Sequence, residues 1–219
     1  LPRVGWAEIA ARAAATEAPL VAIPLAAAVT REAEASLVAS PPAAAVDPDD
    51  DAWLDEALDA FDATEVDLAF GCGLPSSLPA RPLHLHDAAA PPSFAVGDAP
   101  AYLVVRTARL RELGGVPHAL ARHGASAPAL ALVEAVLRAG GLVARRDVHG
   151  LGDPGVAPAE QGASWAAAGL AHAPSRRATV ARGAVGVAAT VLWRTYKDGP
   201  DTRLLAAARG ALAVARRRG

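Results

Sequence analysis

A single cysteine, Cys72, among 219 residues leaves no intramolecular disulfide framework and no four-cysteine zinc site to build. Aromatic residues make up only 4 % of the chain. The core must therefore be closed with small side chains, alanine above all, and such elements can pack closely. Lysine is almost missing too: of 21 basic residues only Lys197 is not arginine, a bias of GC-rich coding sequence that says little about mechanism. The longest apolar run of interest, Gly183 to Trp193, is stopped by Arg182 and Arg194 and is too short to cross a bilayer. The opening stretch LPRVGWAEIAARAAA carries Glu8 and Arg12 and lacks the apolar core of a secretory leader. The chain starts at Leu1 without any methionine, so the natural start is expected upstream, and a cytoplasmic setting is the expectation.

The net charge of −2 conceals an uneven distribution. Residues 1–100 hold 16 acids and 4 bases, whereas residues 174–219 hold 2 acids and 10 bases. An acidic first half argues against general nucleic-acid binding. The basic tail is either a solvated helix face or a surface for peripheral contact with anionic membrane or phosphate.

Periodicity sets out alternating helices and strands. Helical spacing is expected over Trp6–Thr16, Arg31–Ala39, Ala52–Ala60, Thr107–Leu113 and Ala127–Ala139, and again after Gly155 to the end, with helices over 176–196 and 201–217. Apolar strands are expected near 20–25, 66–70, 102–105 and 142–146. Proline and glycine crowd residues 72–100, a loop-rich excursion in which Leu83-His84-Leu85-His86 alternates like a short strand. The alternation predicts an α/β domain over 1–155 followed by a basic helical extension over 156–219.

Three segments in order carry a family resemblance: VDPDDDAWLDEALDAFDATEVDLAFG (Val46–Gly71), AYLVVRTARLRELGGVP (Ala101–Pro117) and ALALVEAVLRAGGLVARRDV (Ala129–Val148). They resemble, respectively, the Asp-rich metal motif with its Trp, helix and strand, the strand-to-double-glycine phrase, and the catalytic-base helix with its final strand in inverting family-2 glycosyltransferases. The resemblance implies a GT-A-like three-layer sandwich and nucleotide-sugar-dependent hexosyl transfer to a glycan or lipid-linked acceptor. It assigns Asp49 and Asp51 to a Mg²⁺ or Mn²⁺ ion and, with Arg106, to the donor, and puts Trp53 and His149 on the acceptor side. Carboxylates holding a hard divalent cation suit the charge that develops on a leaving diphosphate.

Two departures stand beside it. In a second register EIAARAAATEAPLVAIPLAAAV (Glu8–Val29) resembles the helix and strand leading to the metal motif, whose place then falls on Pro24–Ala28, without a ligand; DPDDD is then an ordinary turn capping a helix. The acids that should precede the base helix are replaced near Pro128, Ala129 and Ala131, leaving Glu134 as that helix's only acid and the one candidate base. The expectation is a weakly active or non-catalytic relative. Its partners would be a nucleotide-sugar or glycan, an active glycosyltransferase, or a second copy of the chain.

Overall fold

The computed structural model describes residues 6–25, 52–63, 65–74, 77–79, 81–92, 99–149, 151, 156–172 and 202–217. The expected helices over Arg31–Ala39 and 176–196, together with Asp49 and Asp51, lie outside them.

The described residues form a mixed α/β fold. Helix α1 (Trp6–Ala15) leads into β1 (Leu20–Pro24), and α2 (Ala52–Ala63) into β2 (Leu68–Gly71) and the short β3 (Gly73–Leu74). After β4 (His84–His86) and β5 (Tyr102–Arg106) come α3 (Thr107–Glu112), a 3₁₀ turn (His118–His123) and α4 (Ala127–Arg138). Strands β6 (Val143–Arg145) and β7 (Val148–His149) precede the two last helices, α5 (Pro158–Ala171) and α6 (Thr202–Arg217). The main sheet runs β1-β5-β2-β6-β4, so all four strands expected from the sequence enter it.

Strand β5 is antiparallel to both of its neighbours, pairing Leu20 with Arg106 on one side and Gly71 with Tyr102 on the other. Strands β2 and β6 are parallel, with Leu68 opposite Val143. Consequently β1, β2 and β6 end together at one edge of the sheet, where β5 begins. Short amide bonds close that edge: Leu25 N donates to Ala101 O at 2.7 Å and Ala101 N to Gly71 O at 2.7 Å. Gly71 has no substitute there, because a Cβ would overlap the Arg146 carbonyl.

Side-chain alternation along the strands divides the core in two. Val21, Ile23, Leu68, Phe70, Leu103, Val105 and Val143 meet Ile9 of α1 and Leu132, Val133 and Val136 of α4 on one face. Ala22, Ala69, Tyr102, Val104 and Ala144 meet Trp53, Ala57 and Ala60 of α2 on the other. The second face is largely alanine on both sides, the close approach that an aromatic-poor composition allows.

Helix α4 is buried on two sides, since Leu130 and Ala131 also pack with Ala167, Ala168 and Val214 of the last two helices. Gly162 and Gly210 let α5 and α6 touch backbone to backbone: a Cβ on either would overlap the carbonyl of Ala207 or Ala159. The basic tail helix expected over 201–217 is α6. No helix among the described residues is long and apolar enough to cross a membrane.

Candidate functional site at the carboxyl edge of the sheet

In open α/β sheets ligands bind outside the carboxyl ends of the parallel strands, where backbone and loops converge. Here that edge gathers residues from four separate stretches. Asp147, just past β6, is only 3 % exposed. Its carboxylate accepts from the amide of Cys72 at 2.9 Å and from Arg81 Nη1 at 3.0 Å, with Arg145 Nε at 3.6 Å. A buried carboxylate held by an amide and two guanidiniums is a structural tie rather than a free base. Arg145 also brings Nη2 to 3.8 Å from the Cys72 sulfur.

On the α2 side, Trp53 packs its ring 5.5 Å from that of Tyr102. The Tyr102 hydroxyl donates to the Arg146 carbonyl at 2.7 Å, and burial pushes its pKa up, so it stays a neutral donor. One turn beyond Trp53, Glu56 receives both the backbone N–H of His149, at 3.0 Å, and its ring Nδ1, at 3.0 Å. The opposite ring nitrogen, Nε2, lies 2.9 Å from the Leu78 carbonyl. Both ring nitrogens thus face acceptors, an arrangement that only the doubly protonated imidazolium satisfies. The Leu78 carbonyl and then the Glu56 carboxylate raise the His149 pKa. His149 fastens the loop at Leu78 and helix α2 to strand β7.

This geometry sets a pH dependence. The group ionises near 6.5 when unperturbed and higher in the folded chain. The stabilisation is therefore complete below pH 6.5 and is lost as pH rises through the raised folded value. Thermal unfolding followed from about pH 6 to pH 9 should show that decline in the native chain and a flatter profile in His149→Gln. Parallel profiles for the two proteins would remove His149 as the titrating group.

Of the residues singled out from sequence, Trp53 and His149 both lie on the α2 side of this edge: Trp53 packs on Tyr102, and Glu56, three residues further along α2, holds His149. Trp53 is 4 % exposed, however, so it forms a wall and offers no open face to a ligand. Arg106 is at the opposite edge, because β5 runs against β1 and β2 and carries its last residue away from their carboxyl ends. Its Nε donates to Val66 O at 2.7 Å and its guanidinium lies 5.4 Å from the Phe61 ring centroid. There it lines an open cleft of about 640 Å³ with Glu65, Asp67, Arg109, Gly140 and Leu142. Asp67 accepts from Arg109 at 3.2 Å and from the Leu142 amide at 3.2 Å, and that hydrogen bond raises the Arg109 pKa.

Glu134 lies on the other face of the sheet, towards the far end of α4, and pairs with Arg138 at 2.8 Å one helical turn on. Such a pair is a surface helix contact, remote from Trp53 and His149. The described residues contain no group of three or more metal-ligating side chains. His86 places Nδ1 3.1 Å from the Ala90 carbonyl on the edge strand β4.

Glu56, Tyr102 and Asp147 were not singled out from sequence. The available signals were modest: Glu56 follows Trp53 by three residues on a recognisable helix, and Asp147 and His149 alternate at the end of a strand, in RRDVH. Comparison with models of known families, with curated proteins and with solved structures finds no match to this chain.

Proposed function

We propose that the chain is a glycosyltransferase-like protein, of the inverting family-2 kind, that binds a nucleotide-sugar or glycan at the carboxyl edge of its sheet and transfers little or none of it. The observation that carries this reading is that helix α2 brings Trp53, packed on Tyr102, and Glu56, which holds His149, to that edge. The resemblance puts Trp53 and His149, from segments far apart in sequence, on the acceptor side. The order of elements supports it as well: a strand ending at Arg106, a short helix closed by Gly114-Gly115, then a helix running through a glycine turn into β6. A GT-A-like sandwich is the finer fold this reading implies.

Weak transfer follows from the chemistry at hand. General-base assistance is worth about 10²–10⁴-fold in rate. The start of α4 presents Ala127, Pro128 and Ala129, none of which accepts a proton. Glu56 is committed to His149, and Glu134 to Arg138. Charge neutralisation at the diphosphate rests on Asp49 and Asp51 with Mg²⁺ or Mn²⁺.

A panel of nucleotide-sugars with Mn²⁺, read by thermal shift and by transfer and hydrolysis, tests the reading. The expected result is donor-dependent stabilisation, reduced in Asp49→Ala/Asp51→Ala, with turnover at or near background. Robust turnover unaffected by those changes and by Glu134→Gln would mean that the site is elsewhere. No stabilisation by any donor or glycan would remove the sugar-binding reading.

A further inference from the structure

We infer that the outer face of α6 is a docking surface for an anionic lipid bilayer. The helix buries Leu204, Ala207 and Val214 against the body of the protein. Its opposite side carries two of the few exposed large apolar residues, Leu205 at 46 % and Leu212 at 44 %. At 100° per residue, Leu212, Leu205, Arg216 and Arg209 fall in order along one stripe of the helix. All four of those residues are exposed or partly so on the solvent side, with Ala213 completing the stripe.

The charge of the helix selects the partner. Residues 202–217 hold no acid, and the charged residues of the outer stripe are Arg209 and Arg216. The acid of neighbouring α5, Glu160, is turned away and accepts from the Ala125 amide at 3.0 Å. A stripe of leucine flanked by arginine suits an interface where apolar side chains enter the acyl boundary while guanidiniums stay among phosphates. A protein partner of the same apolar character would not require that the charges beside the leucines both be positive, whereas an anionic membrane does. This inference is independent of the sugar-binding reading.

Sedimentation of the full chain with vesicles tests it, using phosphatidylcholine alone or mixed with one third phosphatidylglycerol. Binding is expected to the anionic vesicles only, and to be lost at about 0.5 M salt. Each arginine near such a surface contributes about fivefold to partitioning, so Arg209→Glu/Arg216→Glu should lose at least about 25-fold. Arg209→Lys/Arg216→Lys should bind nearly as well as the native chain, and Leu205→Ser/Leu212→Ser should bind more weakly. Because these positions are solvent-facing, the melting temperatures of all three variants should stay near the native value, which separates lost docking from lost folding. Equal binding to neutral vesicles, absence of binding at low salt, or indifference to the glutamate changes would overturn the inference. So would a self-associated native chain that the serine variant converts to monomers without any lipid, because the occupant would then be a second copy.

Discussion

Replacing Asp147 with alanine is expected to destabilise the chain by about 3 kcal/mol, a large share of the stability of a domain this size. The carboxylate is almost wholly buried and ties Cys72, just past β2, to Arg145 of β6 and the loop at Arg81. Its loss takes the acceptor from a part-buried amide and the counter-charge from Arg145, which is 15 % exposed. Asparagine keeps an acceptor for the amide but not the charge, so Asp147→Asn should lose about half as much. Urea denaturation of the two variants checks both values. A loss below about 1 kcal/mol for alanine would show that the edge is held by its backbone bonds alone.

The second large effect concerns Trp53. Trp53→Ala removes the largest side chain of α2 from contact with Tyr102 and leaves a cavity among alanines that cannot expand to fill it. A loss of about 3–5 kcal/mol follows. Trp53→Phe should recover most of that. The phenylalanine variant also decides the residue's role: a wall residue can be exchanged for phenylalanine with donor or glycan binding retained, whereas a residue that contacts the ligand through its indole cannot. Retained stability with binding abolished would show that Trp53 opens towards the ligand despite its burial.

Four of the five strands of the main sheet could be read from sequence because each is a short apolar run bounded by Pro, Gly or a charge, as in LVAIP and YLVVR. Helix α4 was as clear, its Leu130, Val133, Val136 and Leu137 lying at helical spacing. The apolar run predicts a strand from Val66, yet β2 starts at Leu68. Val66 is buried for a different reason, packing under α2 and offering its carbonyl to Arg106.

The candidate site was harder because its bonds join distant positions. Glu56 and His149 are 93 residues apart, and Cys72 and Asp147 are 75 apart. No local pattern announces such a pair. Arg106 shows the opposite difficulty. Its position at a strand end was correctly anticipated, but which edge of the sheet that end occupies depends on strand direction, which apolar runs alone do not encode. Asp49 and Asp51, the expected metal ligands, fall outside the described residues.

A structure of the chain soaked with UDP or GDP and Mn²⁺ tests the proposed binding of a nucleotide-sugar or glycan at the carboxyl edge of the sheet. Nucleotide density is expected beside the ends of β1 and β2, with the metal on Asp49 and Asp51 and the bound group within reach of Glu56 and His149. Nucleotide in the Arg106–Arg109 cleft at the opposite edge, or a carboxyl edge that stays empty at saturating nucleotide, would contradict it.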